Sequence, residues 1–219
     1  LCPRCGRGLD PRPRQRVHAC AECHGSWEAV SGQGLVPVPR SIVRPKIAPP
    51  WDARLVLLPV WCVTVHREQL GKISDRMAGE IRIPANGIAR MPLLVAAARR
   101  MTRDASPCED WTAMEAPVDP AEMDAETAFA VAEAVALRHV DGWPSQNEVE
   151  SVQIPLGSAR LVDWPCANVG AELVELVGGL SLPEALVQNI GSRDQRSALG
   201  AEIARLDHTS DFVRSRTGG

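Results

Sequence analysis

Cys2-Pro3-Arg4-Cys5-Gly6, followed by Cys20-Ala21-Glu22-Cys23-His24-Gly25-Ser26-Trp27, organises the beginning of this chain. Two Cys-x-x-Cys hooks separated by fourteen residues bring four soft, anionic sulfurs within reach of one ion. Such a set favours tetrahedral Zn²⁺ with Zn–S bonds of about 2.3 Å. Because four protein ligands leave no open position for a substrate or an activated water, we predict one structural zinc held by Cys2, Cys5, Cys20 and Cys23.

Other uses of the hooks stay open on the sequence. Iron is bound by the same hooks in rubredoxins, and His18 and His24 flank the second hook as alternative ligands. Two disulfides would require an oxidising compartment; no secretory segment is seen ahead of the first hook, so we expect a reduced, cytoplasmic protein. A redox Cys-x-x-Cys motif normally occurs once rather than twice, which disfavours that role.

The same region resembles the small TFIIB-type zinc-finger domains of bacteria. Their pattern runs Cys-Pro-x-Cys-Gly-x-x-Leu, a short hairpin, then Cys-x-x-Cys-x-Gly-x-Trp and an acidic residue. The matching residues are Cys2, Pro3, Cys5, Gly6, Leu9, Cys20, Cys23, Gly25, Trp27 and Glu28. The match covers about residues 1–35 and departs at Ser26, where an aliphatic residue usually precedes the tryptophan. The resemblance implies a β-hairpin zinc ribbon, a fold that serves mostly for scaffolding or docking.

Composition limits what the rest of the chain can be. With 219 residues, 45% of them hydrophobic and 23% charged, the chain has room for a ribbon and one larger core. No apolar run approaches the roughly 20 residues needed to span a bilayer. Residues 1–48 carry a net charge of +5 and residues 49–219 carry −8. A basic ribbon suits either nucleic acid or an acidic protein surface.

The remaining chain predicts an α+β fold: a small N-terminal zinc ribbon followed by a mixed α/β body at residues 51–190. Residues 36–50 contain five prolines and predict a semi-rigid linker, with an ordered strap across the body or a ligand for a partner domain as alternatives. Residues 54–66 predict a buried strand that is bulged, broken or at a sheet edge, because Pro59 cannot donate to a ladder. A second strand is predicted at 81–84. An amphipathic C-terminal helix is predicted at 191–213, followed by a flexible tail at 214–219.

Two further helices are predicted within the body. One covers residues 92–102, with Leu94, Ala97, Ala98 and Met101 on one face. The other covers residues 119–138. Asp119 is predicted as its N-cap, Pro120 lies in its first turn, and Glu122 completes a sequence similar to a capping box. Its apolar stripe is predicted as Met123, Thr127, Ala130, Val131, Ala134 and Leu137.

Short internal matches suggest two related β-rich halves. Residues 160–165 repeat the Arg-Leu-Val-x-x-Pro spacing of residues 54–59. Downstream, residues 180–183 echo residues 81–84, since each short apolar stretch ends at a proline. Each half would consist of two strands, a proline and the start of a helix.

Known catalytic motifs are absent from the sequence. It contains no phosphate-binding loop, dinucleotide-binding turn, nucleophile elbow or His-Glu-x-x-His motif. The histidines of the body are isolated, and we interpret Cys62, Cys108 and Cys166 as buried, inert thiols. We therefore identify no catalytic residue and no small-molecule substrate.

These observations favour a non-catalytic adaptor or structural subunit that mediates protein–protein assembly in a larger bacterial complex. The alternative is a nucleic-acid-binding, transcription-related module, which would use Arg4, Arg7, Arg12, Arg14 and Arg16, with Arg40, Arg44 and Lys46 following. A third hypothesis is an enzyme whose site is assembled from scattered residues in a deep polar pocket.

Overall fold

The computed structural model describes residues 1–9, 14–50, 52–66, 79–86, 91–103, 109–111, 121–139, 154–170 and 172–183. The strands within these ranges are β1 (Val17–Ala19), β2 (Ser26–Val30), β3 (Gly34–Pro37), β4 (Arg40–Ile42), β5 (Arg54–Val65), β6 (Glu80–Pro84), β7 (Leu156–Val169), β8 (Glu172–Glu175) and β9 (Ser181–Pro183). The helices are α1 (Met91–Arg103) and α2 (Ala125–His139). The predicted C-terminal helix and tail, Arg12 and Cys108 lie outside the described residues.

Two sheets carry these strands, so the described chain is a mixed α and β structure with mostly antiparallel strands. The small sheet, which we call the ribbon together with the cysteine hooks, has the order β1-β2-β3. The large sheet has the order β6-β5-β7-β8-β9, and β4 pairs with β7 outside that path. We call the large sheet and the two helices the body.

Strands β5 and β7 form the centre of the body. They pair antiparallel from Arg54↔Asn168 to Val63↔Ala159. Most side chains of β5 are buried, because both faces of the sheet are covered. The continuous run of Leu and Val in β5 is therefore a run of core residues rather than an alternating pattern.

Of the three expectations for Pro59, the bulge and the break are wrong, whereas within the described residues the strand is an edge on one side from Pro59 back to Arg54, because its pairing with β6 stops at Val60. Strand β5 runs unbroken between β6 and β7. The Pro59 carbonyl accepts a hydrogen bond from the Ala85 amide at 2.8 Å, so the donor-less nitrogen faces the same side. That position lies just beyond Val60↔Pro84, the last pair between β5 and β6. The Ala85 carbonyl, which an amide at residue 59 would face, accepts the amides of Glu122 and Met123 at 3.0 and 3.1 Å instead, so the missing N–H leaves no acceptor unpaired there.

Pro165 occupies the corresponding position in β7. Its carbonyl accepts from the Leu176 amide at 2.8 Å, and the pairing with β8 begins one residue later at Cys166↔Glu175. Leu58 and Trp164, which match in the Arg-Leu-Val-x-x-Pro repeat, face each other across β5 and β7. The second match, between residues 81–84 and 180–183, does not correspond to equivalent strands. Strand β6 pairs with β5, whereas β9 pairs with β8 rather than with β7. A common origin of the two halves stays a prediction.

The two faces of the large sheet are packed by different residues. Trp61, Val63, Ile81, Ile83 and Leu161 lie in one core cluster with α2 and part of α1. On the opposite face, Val60, Cys62, Val162, Trp164 and Cys166 pack with Ala97 and Met101 of α1. The predicted helix at 92–102 and its buried face are therefore confirmed, and Cys62 and Cys166 are buried as predicted.

Helix α2 begins later than the sequence predicted. It starts at Ala125, where Asp124 caps it by accepting the Thr127 amide at 2.7 Å. Ala121 is extended instead, because it pairs with Val17 of the ribbon. The predicted apolar stripe was also partly wrong: Ala130 is exposed, whereas the buried side chains are Ala128, Val131, Ala132, Val135 and Ala136.

Residues 38–47, which we call the strap, lie along the large sheet. Strand β4 pairs parallel with β7 from Arg40↔Leu161 to Ile42↔Asp163. The Pro39 carbonyl accepts from the Leu161 amide at 2.9 Å, and the Lys46 amide donates to Leu176 at 2.7 Å. Residues 38–47 therefore lie as an ordered strap on the sheet rather than as a free linker, and a role as a ligand for a partner domain stays a prediction.

Candidate metal centre

The two Cys-x-x-Cys hooks fold into the same turn. In the first, the Gly6 amide donates to the Cys2 carbonyl at 2.9 Å; in the second, the His24 amide donates to Cys20 at 3.0 Å. The residue after the second cysteine has positive φ in both turns, 73° at Gly6 and 56° at His24. Each turn thus directs two thiols to one side of the backbone.

The four predicted ligands are brought together. The Sγ atoms of Cys2 and Cys23 lie 3.5 Å apart, as do those of Cys5 and Cys20, and all four sulfurs lie within 4.8 Å of one another. A tetrahedral ion with bonds of about 2.3 Å would separate its sulfurs by about 3.8 Å. A disulfide would need about 2.05 Å, and these cysteines are free. The arrangement is consistent with a zinc ribbon, and neither His18 nor His24 belongs to the group.

The four thiols differ in pKa. Desolvation opposes the Cys2 thiolate, but amides of Cys5 and Arg4 and the neighbouring thiols lower its pKa to about 6. The Arg7 amide favours the Cys5 thiolate, but desolvation and the other sulfurs raise its pKa to about 12. The Cys23 amide lowers the pKa of Cys20, whereas desolvation and two sulfurs outweigh the Gly25 amide and raise that of Cys23. Without a cation, Cys5 and Cys23 therefore hold their protons, and a metal ion that binds all four sulfurs releases them.

Gly25 and Trp27 close one side of the group. A Cβ at residue 25 would lie 3.2 Å from Trp27 Nε1 and 3.4 Å from Cys23 Sγ, so the close approach of the ring favours glycine. Cys2 and Cys20 are buried, whereas Cys5 is exposed. The group is therefore covered by the ribbon on one side and reaches the surface at the first hook.

The predicted basic residues separate into two groups. Arg4, Arg7 and Arg14 are exposed on the ribbon, and Arg16 is exposed with its Nε 4.0 Å from Asp124. The side chain of Arg40 is buried instead. Its guanidinium donates to both carboxylate oxygens of Asp163, with Nε–Oδ2 at 2.7 Å and Nη2–Oδ1 at 2.6 Å. Arg40 therefore joins the strap to β7 and is not a surface contact residue.

A small surface depression lies beside Trp164. It is lined by Arg82, Met101, Trp164, Glu175, Val177, Gly178 and Leu180. The Arg82 guanidinium stacks over the Trp164 ring at 4.8 Å. Glu175 accepts bonds from Trp164 Nε1 at 2.7 Å and from the amides of residues 177, 178 and 180. The Glu175 carboxylate therefore holds the turn after β8 in place.

Sequence reasoning missed three acidic residues with structural contacts: Glu28, Asp163 and Glu175. Asp163 and Glu175 are charged positions within otherwise apolar segments, and that is the signal that points to buried polar partners. Glu28 was matched only as the acidic residue of the ribbon pattern. Its partner, the Ala125 amide, is 97 residues away and has no sequence signal.

Comparisons with protein-family models, curated proteins and solved structures gave no match. Within the residues that the structure describes, neither helix has the length and apolar character needed to cross a membrane.

Proposed function

We propose that the protein is a non-catalytic adaptor or structural subunit, in which a zinc ribbon presents a rigid surface to a protein partner. The observation that supports this proposal is the closed four-cysteine group on a ribbon that is fixed to the body by hydrogen bonds. A metal with four protein ligands has no coordination site left for chemistry. A surface held in one orientation loses little entropy on binding.

The metal that fits this proposal best is zinc. Four thiolates at tetrahedral spacing are its usual structural ligand set, and Zn²⁺ takes part in no redox step. Thiolate groups also bind iron, so metal identity needs direct analysis. Zinc would supply the folding free energy of a segment with few buried apolar side chains.

The surface that we propose for the partner is the exposed face of the first hook. Arg4, Cys5, Gly6 and Arg7 are all exposed there, next to the metal ligands. Two guanidiniums on a rigid turn suit carboxylates on an acidic protein surface, which they can contact bidentately. The partner is therefore expected to present acidic side chains.

The test is purification of native complexes from the source cell, using the tagged full chain and the double variant Arg4→Ala/Arg7→Ala. Arg100→Ala, which removes an exposed arginine from α1, serves as the control. We expect a stoichiometric protein partner that is retained by the control and lost or at least tenfold weakened with the double variant. A chain that elutes alone, or a partner equally retained by both variants, would contradict the proposal.

A nucleic-acid-binding module is the second candidate, favoured by the exposed arginines of the ribbon. Binding through phosphates would weaken steeply with salt, and each lost arginine contact would reduce the salt slope by about 1. Fluorescence anisotropy with single- and double-stranded oligonucleotides, at several salt concentrations, separates the two candidates. Absence of binding near physiological salt would remove this alternative.

A further inference from the structure

A short backbone pairing joins the ribbon to the body. The Val17 amide donates to the Ala121 carbonyl at 3.0 Å, and the Ala121 amide donates back to Val17 at 3.1 Å. The Val17 side chain is fully buried in the core cluster that contains α2. The start of α2 is thus held against strand β1.

A ribbon side chain also caps α2. Glu28 Oε1 accepts the amide of Ala125, the first residue of the helix, at 3.1 Å, while Asp124 accepts that of Thr127. The first amides of a helix have no partner within the helix and need an acceptor from elsewhere. One acceptor here belongs to the helix's own chain segment, and the other comes from β2.

The same hairpin carries the metal ligands. Val17 and Glu28 face each other across β1 and β2. Strand β1 ends directly before Cys20, and β2 begins three residues after Cys23. The cysteines therefore close one end of a hairpin whose other end holds α2.

We propose that occupancy of the four-cysteine group controls the order of the first turn of α2, with Glu28 as a cap supplied by the ribbon. The ribbon has little else to hold the hairpin together. In its described parts, residues 1–9 and 14–37, the buried apolar side chains are Cys2, Val17 and Cys20. Removing the metal leaves Val17, short strand ladders and the Arg16 contacts with Ala121 and Asp124 to position Glu28. We expect these to be insufficient, so loss of metal releases the cap. This device rests on metal binding and holds whichever partner the ribbon has.

The experiment measures residue-resolved amide exchange of the full chain with zinc bound, after chelation and after zinc is restored. We expect exchange of the amides at 125–128 to accelerate at least tenfold on chelation and to recover with zinc, while the β5–β7 ladder keeps its protection. Unchanged exchange at 125–128, or equal acceleration in β5 and β7, would overturn the proposal.

A set of variants tests the role of Glu28 itself with zinc bound. Glu28→Ala removes the acceptor, and Glu28→Gln retains a carbonyl oxygen at the same place. We expect faster exchange at 125–128 in the alanine variant and near wild-type exchange in the glutamine variant, with one zinc in each. Glu133→Ala, an exposed site further along α2, is the control. Equal exchange in all three variants would contradict a capping role for Glu28.

Discussion

The ribbon and the body are stabilised in different ways, although both are built from antiparallel strands. Strands of the ribbon have three to five residues, whereas β5 and β7 have 12 and 14. The body has core clusters on both faces of its sheet, whereas the buried aliphatic side chain of the described ribbon is Val17. A short sheet without its own core depends on a cross-link, here the cysteine group, and a long buried sheet does not.

The largest expected effect follows from this difference. Cys20→Ser should abolish stoichiometric zinc binding. It should also abolish the protection of the β1 and β2 amides from exchange, because folding of such a ribbon is coupled to metal binding. The β5–β7 ladder should keep its protection. Metal analysis and amide exchange check both statements.

Cys62→Ala is the matched control for the ligand variant. Cys62 is a buried thiol of the body outside the cysteine group, so its removal should leave one zinc per chain. A Cys20→Ser protein that still binds one zinc tightly, or a Cys62→Ala protein that loses it, would place the metal elsewhere.

The second largest effect concerns the buried ion pair of the body. Asp163→Leu leaves the Arg40 guanidinium buried without its carboxylate and should destabilise the metal-loaded protein by about 3–5 kcal/mol. Adding Arg40→Met should restore most of the loss, since two apolar residues replace the pair. Denaturant unfolding of the body measures the free energies.

The control for the ion pair is Glu109→Ala. Glu109 pairs with Arg44 at 3.5 Å, and both side chains are substantially exposed, so its loss should cost less than about 1 kcal/mol. If Asp163→Leu costs no more than Glu109→Ala, the buried pair does not hold the strap as we describe.

What could be predicted from the sequence was mostly local. The cysteine spacing predicted the four-sulfur group, and the periodicity of residues 92–102 predicted α1, because both patterns depend on neighbours in the chain. The start of α2 was missed, since Ala121 pairs with Val17, more than a hundred residues earlier. Arg40 and Asp163 are 123 residues apart, so their pairing could not be predicted from either neighbourhood.

A smaller effect is expected at the backbone of the second hook. His24 has φ of 56°, where a side chain costs about 1 kcal/mol relative to glycine. His24→Gly should therefore slow zinc loss to a competing chelator by about fivefold, since Gly6 already occupies the same place in the first hook. Gly6→Ala should speed zinc loss by a similar factor. Loss of zinc from His24→Gly would instead make His24 a ligand.

The smallest effect is a pH dependence at Glu28. Desolvation, outweighing the Ala125 amide, raises the pKa of its carboxyl, as do the charges of Asp124 and Glu126. A raised pKa in the folded state means that stability from this group is present below the unfolded pKa and is lost as pH rises through the folded value.

Glu28→Gln removes that dependence. We expect the variant to gain stability relative to wild type as pH rises from about 4.5, the unperturbed value, towards neutrality, so that its free energy of unfolding minus that of wild type increases. Comparing the two proteins at each pH cancels the shared loss of zinc in acid. A difference that does not change with pH, or that changes in the opposite direction, would contradict the assignment.

The most direct test of the central claim is metal analysis of the purified full chain, combined with Co²⁺ titration followed by absorption. We predict one zinc per chain and, with Co²⁺, the intense bands of a tetrahedral site with four thiolate ligands, lost in Cys20→Ser. A chain that binds no metal, or whose hooks are oxidised to disulfides, would contradict a metal-held ribbon docked on the body.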